Sequence, residues 1–251
     1  LPDAFTRYFE PEIERAALRV LRAAGCRVVT LPILGAGRTL ISKGFLEAAK
    51  KHAQEVRNAI DKIDPEGNYP VVGVEPSEIY TLKDEYLDFF PNNEDMRSLN
   101  QRSFLIDELL LRDDRVLRVA NKIKVDRDQD LQKVSLHGHC YQKARPPADD
   151  GLPVGQEATA ALLRAFGYEV EIIPSGCCGM AGSFGYEEEH YALSMQVGEL
   201  VLFPEIRRKM GADGTTSIVA PGTSCREQIA DGTGVAADHP LVLISAISDG
   251  S

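Results

Sequence analysis

No stretch of this chain approaches the roughly 18 uninterrupted apolar residues that a membrane-spanning helix needs, and no basic region followed by an apolar one opens it. The sequence therefore reads as that of a soluble protein with neither a membrane span nor an evident export signal. Clustered positive charge is also missing. Lys and Arg together number 28 against 38 for Asp and Glu, giving a formal charge of −10. Nucleic acid demands grouped cations on its phosphates, so that class of partner is set aside. An acidic surface suits solubility or docking to a basic patch. Cysteine is scarce: the five present are an odd number and are not spaced like the dense framework of a small secreted domain. A reducing cytoplasm is the expected compartment, with the thiols free for metal or redox use and peripheral placement at an inner membrane left open.

What is present is enough for a sizeable core: 251 residues, 43% hydrophobic, as one large domain or two small ones. The chain opens Leu1-Pro2-Asp3 without methionine, which sets the expectation of a piece of a longer polypeptide. Apolar residues recur at helical spacing over Pro11 to Ala24, and Gly25 ends the run as a C-terminal cap would. Cys26 to Leu31 then reads as a strand, Leu40 to Ile63 as a long helix, Tyr69 to Val74 as a strand and Ser77 to Tyr86 as a short helix. Phe90 to Lys124 has helical periodicity without a strand signal. Lys133 to Leu136, Tyr168 to Ile173 and Thr216 to Ala220 read as strands, with a helix over Phe184 to Leu202. Alternating β and α argues for an α/β fold with parallel sheets.

The two halves resemble each other. Leu18 to Gly25 parallels Ala160 to Gly167, and both lead into strands ending in proline, Leu31-Pro32 and Ile173-Pro174. Leu34-Gly35-Ala36-Gly37 then takes the place of Gly176-Cys177-Cys178-Gly179, and Glu75-Pro76-Ser77-Glu78 that of Gly222-Thr223-Ser224-Cys225. The reading is an ancient duplication in two pseudo-symmetric halves, 1–125 and 126–251, each a small parallel sheet flanked by helices.

In the second half Cys140, the pair Cys177 and Cys178, and Cys225 each follow a strand. If those strands are parallel, the three loops share the carboxyl edge of one sheet, where α/β proteins place ligands. Cys178 and Cys225 fall near expected helix starts, whose free N–H groups favour thiolate over thiol. Zinc sites usually use Cys-x-x-Cys, which is absent, and adjacent cysteines chelate one ion poorly. An iron-sulfur cluster spreads its attachments over several irons, which suits Cys177 and Cys178 better. The spacing alone leaves open four idle thiols, and also a metal-free redox pair at Cys177 and Cys178.

The order Cys140, then 36 residues, then Cys177-Cys178-Gly179, then 45 residues, then Cys225 resembles the cysteine-rich CCG domain. That domain occurs, usually twice in tandem, in the B-subunit of heterodisulfide reductase, the iron-sulfur protein of glycolate oxidase and the C-subunit of anaerobic glycerol-3-phosphate dehydrogenase. The wording is similar to the C-terminal part of FAD-linked D-2-hydroxyacid dehydrogenases. His137-Gly138-His139-Cys140-Tyr141-Gln142-Lys143-Ala144, the run Gly176 to Gly185 and Ser224-Cys225-Arg226 carry the likeness in the second half. Phe5 to Glu12, Leu40 to Gly44 and Val74 to Ser77 carry it in the first. The resemblance implies a [4Fe-4S] cluster on Cys140, Cys177, Cys178 and Cys225; the alternative to it is a zinc-bound or metal-free scaffold that holds the catalytic domain in place. His139, Gly176, Gly179 and Ser224 would stand around the sulfurs. FAD would sit on a separate domain or chain, and electrons would pass from that flavin-containing dehydrogenase domain to a quinone or protein carrier.

Two departures limit what the resemblance implies. Gly222 stands where the first cysteine of a closing Cys-x-x-Cys would be, which leaves four thiols rather than five. The first half offers Gly35, Ala36 and Glu78 at its cysteine positions, so a cluster is not expected there and a structural or docking role is. The chain also lacks the ferredoxin run Cys-x-x-Cys-x-x-Cys and a glycine-rich flavin fingerprint, so alone it is not expected to oxidise a hydroxyacid. Gly179 to Gly185 departs from Gly-x-Gly-x-x-Gly and is not read as a nucleotide loop. Cys26 reads as a core thiol and His190 as packing or surface. His137 and His139 either bond to cluster sulfur or to backbone. Arg38, Lys43 and Glu75, where the first half would have held a cluster, form either a buried ion network or solvated charges.

Overall fold

The computed structural model describes residues 1–118, 120, 132–212 and 216–248. The expected boundary near residues 125 and 126 lies outside them, as do residues 119 and 121–124 of the expected helical connection. The fold is α/β, with two small parallel sheets flanked by helices.

The second half holds three strands: β3 (Lys133–Leu136), β4 (Glu169–Ile172) and β5 (Ser217–Val219), in the order β4-β3-β5. All pairs are parallel, with Leu136 opposite both Ile172 and Val219. The central strand is buried over Val134, Ser135 and Leu136, as a strand covered on both faces must be. Asp238 adds a single parallel bridge to Val219 on the far side of β5. The expected helix from Phe184 to Leu202 is a 3₁₀ turn, Phe184–Tyr186, followed by helices Glu188–Leu200 and Leu202–Ala212.

The first half contains β1 (Val71–Gly73) and β2 (Ser103–Leu105), paired in parallel with Val72 opposite Phe104. β2 corrects the expectation that Phe90 to Lys124 is helical throughout. It is three residues long and held by pairing with β1, so no local period announces it. The expected helix from Leu40 to Ile63 divides into Arg38–Ser42 and Leu46–Asp61. Ser77 to Tyr86 likewise becomes Pro76–Lys83 and Glu85–Phe89. Pro76 stands at the first helical position, where its missing N–H costs nothing.

Cys26 to Leu31 is also a correction, because it is not a strand. Its composition suits β structure, but a strand is defined by its hydrogen-bonded neighbour. Among the described residues, no backbone bond joins 27–31 to either sheet.

The halves nevertheless match in their local bonding. Cys26 N–H donates to Leu21 carbonyl at 2.9 Å, and Tyr168 N–H to Leu163 carbonyl at 3.1 Å, closing the same turn after helices Pro11–Ala23 and Gly155–Ala165. They also share a core. Ala16, Ala17, Val20 and Leu21 pack with Leu163, Phe166, Leu241 and Ile244 in one apolar cluster. Polar ties join them further: Glu75 accepts from Thr223 N–H at 2.9 Å, and Arg226 pairs with Glu10.

Candidate metal centre

Because β3, β4 and β5 are parallel, the segments that leave their carboxyl ends emerge on one edge. Cys140 opens the helix Cys140–Lys143 after β3, Cys177 and Cys178 lie in the loop after β4, and Cys225 is the third residue of the helix Thr223–Thr233 after β5. Cys178 and Cys225 are buried in a cluster with Ile173, Met180, Ile218 and Ile229, whereas Cys140 and Cys177 are exposed. All four, and Cys26, are free thiols.

The inner pair is compact. A ring nitrogen of His137 and the sulfurs of Cys178 and Cys225 lie within 4.8 Å of one another. Cys178 is also hydrogen-bonded to both Cys177 and Cys225. The loop turns its amides onto sulfur: Gly179 N–H donates to Cys177 Sγ at 3.3 Å, Ala181 N–H donates to the same thiol, and Met180 N–H to Cys178. This needs unusual backbone. Gly179 has φ +105°, and a Cβ there would stand 2.1 Å from the Ser194 carbonyl oxygen. Ala181 adopts φ +44°, a costly conformation for a residue with a side chain.

Lys143, three residues after Cys140, reaches across the site. Its ammonium donates to the carbonyls of Ser175 at 2.5 Å and Gly176 at 2.8 Å, and feels the charge of all four thiols. It also donates to Ser175 Oγ at 3.5 Å, and that hydroxyl is hydrogen-bonded to His137 Nδ1 at 2.7 Å. His137 Nε2 is buried without a partner among the described residues. Burial and the nearby Lys143 push the His137 pKa well down, so the ring is neutral.

His139 meets both expectations, sulfur and backbone: its Nδ1 lies 3.8 Å from Cys140 Sγ. Its Nδ1 accepts from Tyr141 N–H at 3.2 Å and so caps the helix that starts at Cys140, while its ring stacks on Tyr141. Burial lowers its pKa to about 4. The His139 ring also fills the space a fifth cysteine would need, since a Cβ on Gly222 would lie 2.5 Å from His139 Cδ2.

Cys178 does not show the acidity expected from a helix start. Burial raises the pKa of Cys140. Its hydrogen bond with Cys178, and then burial, raise that of Cys177. For Cys178 the bond from Cys177 works downward, but the bond with Cys225 and burial outweigh it, and the net shift is upward. Cys178 also lies in the loop, short of any helix start. The raised values of Cys140, Cys177 and Cys178 favour the protonated thiols, and a metal that binds these as thiolates must release those protons.

The remaining expected residues fall as follows. The Gly176 carbonyl anchors Lys143, and Ser224 lies beside Cys225 with no side-chain hydrogen bond among the described residues. Cys26 packs against the core, and His190 stacks on Phe184 and pairs with Glu187. Arg38, Lys43 and Glu75 form no single network: Arg38 pairs with Glu85, Lys43 with Glu187, and Glu75 caps the Cys225 helix. Sequence reasoning missed Lys143, although its i+3 spacing from Cys140 places both on one helix face.

In the first half the corresponding positions hold Gly35, Ala36 and Glu78. Glu78, at the position of Cys225, accepts from the N–H of Ala36, at the position of Cys178. Burial raises its pKa to about 7 despite that bond, helped by the charges of Asp3 and Glu75. Tyr86 closes the space by donating to the Ala36 carbonyl at 3.1 Å.

Residues 134–230 match the family model of the CCG cysteine-rich domain. Over 246 residues and 95% of its length the chain is 27% identical to D-2-hydroxyglutarate dehydrogenase of Escherichia coli (strain K12). It is 25% identical over 240 residues, again 95% of its length, to the enzyme of that name from Haemophilus influenzae. Over 251 residues, 96% of the chain, it is 26% identical to the C-subunit of anaerobic glycerol-3-phosphate dehydrogenase of E. coli (strain K12). The chain spans 21% and 22% of the two D-2-hydroxyglutarate dehydrogenases and 56% of the glycerol-3-phosphate dehydrogenase component. No solved structure matches. The resemblance read from Cys140, Cys177, Cys178 and Cys225 therefore stands, and among the described residues no helix is long and apolar enough to cross a membrane.

Proposed function

We propose that this chain is the iron-sulfur electron-relay module of a flavin-dependent D-2-hydroxyacid dehydrogenase, with Cys140, Cys177, Cys178 and Cys225 holding a [4Fe-4S] cluster. One observation supports the reading: all four thiols lie on segments that leave one sheet edge, Cys178 and Cys225 are within 4.8 Å of each other, and Gly179 N–H donates to Cys177 Sγ at 3.3 Å. Amide donors to sulfur stabilise thiolate charge and set the potential of a bound cluster. The donor set fits four thiols and, with His139 against Gly222, not five. Such a cluster supplies one-electron transfer. The protein's own contributions are the amide cradle, Lys143 as a neighbouring cation, and the His137 ring beside Cys178 and Cys225.

The similarity to dehydrogenases supplies the rest of the proposal. The electron donor would be a flavin on another domain or chain, and the acceptor a quinone or protein carrier. The exposed thiols Cys140 and Cys177 mark the edge from which electrons would enter or leave. The 1–125 half, whose matching positions are Gly35, Ala36 and Glu78, would serve as a wall that braces the Cys225 helix through Glu75.

A second reading rests on the compact set of His137, Cys178 and Cys225, which suits a single tetrahedral ion such as zinc in a structural role. Visible and electron paramagnetic resonance spectra of protein prepared without oxygen separate the two. The relay reading requires a reducible iron-sulfur signal that is lost or labilised in Cys178→Ser. Undiminished iron and sulfide in that variant count against the ligand set, and zinc without sulfide establishes the second reading.

A further inference from the structure

One side chain ties together the segments that carry three of the four thiols. Lys143 extends from the short helix that Cys140 opens, and its ammonium donates to the carbonyls of Ser175 and Gly176 at 2.5 Å and 2.8 Å, and to Ser175 Oγ at 3.5 Å. These are three acceptors for the three N–H groups of a charged ammonium. All of them belong to the two residues that precede Cys177 and Cys178.

Every one of those partners is neutral. The other cations around the site have carboxylates: Arg226, next to Cys225, pairs with Glu10; Arg38, over the Tyr141 ring, pairs with Glu85; and Arg145 pairs with Asp84 at 2.5 Å. Among the described residues no carboxylate lies within ion-pair distance of Lys143. The side chain is half-buried, and loss of water works against its charge. What works for the charge is the set Cys225, Cys140, Cys178 and Cys177.

The first half supplies the comparison. Asp3 caps the helix Ala4–Tyr8 as His139 caps Cys140–Lys143, which puts Arg7 at the place of Lys143. Arg7 gives two bonds to the Glu14 carboxylate, at 2.6 Å and 2.5 Å. The half without the cysteine set thus provides a carboxylate for its cation, and the half with that set does not.

We propose that Lys143 is the counter-cation of the metal centre and sets its reduction potential. The inference rests on the reading of Cys140, Cys177, Cys178 and Cys225 as ligands of a [4Fe-4S] cluster. Four thiolates give such a cluster a net negative charge, and one-electron reduction adds another unit to it. A cation held beside it therefore favours the reduced form over the oxidised one. Through its hydrogen bonds Lys143 is also a positioning residue, because it holds the loop whose Gly179 N–H donates to Cys177 Sγ.

The test compares the parent chain with Lys143→Gln, which keeps N–H donors without charge, and Lys143→Arg, which keeps both. Each is prepared without oxygen and titrated with dithionite as the source of electrons. The midpoint is read by electron paramagnetic resonance, and iron and sulfide are counted. The proposal expects Lys143→Gln to disfavour reduction roughly tenfold or more, a fall of about 59 mV for one electron, with Lys143→Arg close to the parent. Loss of the cluster from the Gln variant alone, with the Arg variant at the parent potential, supports it as well. An unchanged midpoint in Lys143→Gln overturns it, and so does an equal shift in both variants. Loss of the cluster from both also overturns it, since the side chain is then a tie and its charge is idle. Each of these results leaves the cluster reading standing if the parent holds iron and sulfide. A parent with zinc and no sulfide removes that reading, and the inference falls with it.

Discussion

Replacing Glu78 by glutamine tests how the first half manages without thiols. The carboxyl lies where Cys225 lies in the second half and accepts from Ala36 N–H. Burial raises its pKa from the ordinary 4.5 to about 7, with Asp3 and Glu75 adding to the shift and Arg38 opposing it. Between those two values the folded chain binds more protons than the unfolded one, so stability falls as pH rises. The favourable contribution of the neutral carboxyl is complete below pH 4.5 and lost as pH passes through 7. The full shift corresponds to about 3 kcal/mol, and partial solvent access at Glu78 brings the expectation to about 2 kcal/mol. Glutamine keeps an acceptor for Ala36 and never ionises, so Glu78→Gln should gain that amount on the parent chain between pH 5 and pH 8. Urea unfolding at both pH values, with thiols reduced and a chelator present, gives the double difference. Other titrating groups, including Asp107 with its pKa raised by burial to about 6, cancel in it. Parallel stability curves for the two proteins from pH 5 to pH 8 would refute the account of Glu78 as a buried carboxyl in place of a thiol.

Glu75→Ala should cost about 1–2 kcal/mol, because Thr223 N–H loses its buried acceptor and the Cys225 helix its cap. Glu75→Gln should recover most of that, and thermal unfolding of the pair checks it. Gly179→Ala should cost several kcal/mol, since the new Cβ meets a carbonyl at a positive φ. It should also abolish metal retention, measured by elemental analysis. Gly222→Cys should not add a fifth ligand. It should destabilise by about 1–3 kcal/mol through its clash with His139, and His139→Ala in the same chain should restore stability.

The second half was largely legible because its signals are local. Lys133 to Leu136, Tyr168 to Ile173 and Thr216 to Ala220 each carry their own strand pattern, and parallel pairing then brings the loops after them to one edge. The first half was less so, for a reason the structure makes plain. Cys26 to Leu31 has the composition of a strand, yet among the described residues no backbone bond joins 27–31 to either sheet, and propensity cannot substitute for a hydrogen-bonded partner. β2 is the converse case, a three-residue strand that exists through pairing with β1. Side-chain roles split similarly. The cysteines could be named from spacing, but the setting of His137 depends on Ser175 and Lys143, 38 and 6 residues away along the chain. The acidity expected of Cys178 failed because burial and thiol-to-thiol bonds outweigh a helix terminus that is not adjacent. The absent fifth cysteine was legible, but the ring that occupies its space was not.

Iron, zinc and acid-labile sulfide should be determined on protein prepared without oxygen, for the parent chain and for Cys178→Ser. The account predicts about four irons and four sulfides per chain, with brown colour that bleaches on reduction, and loss of both in the variant. One zinc without sulfide, or no metal at all, would contradict it.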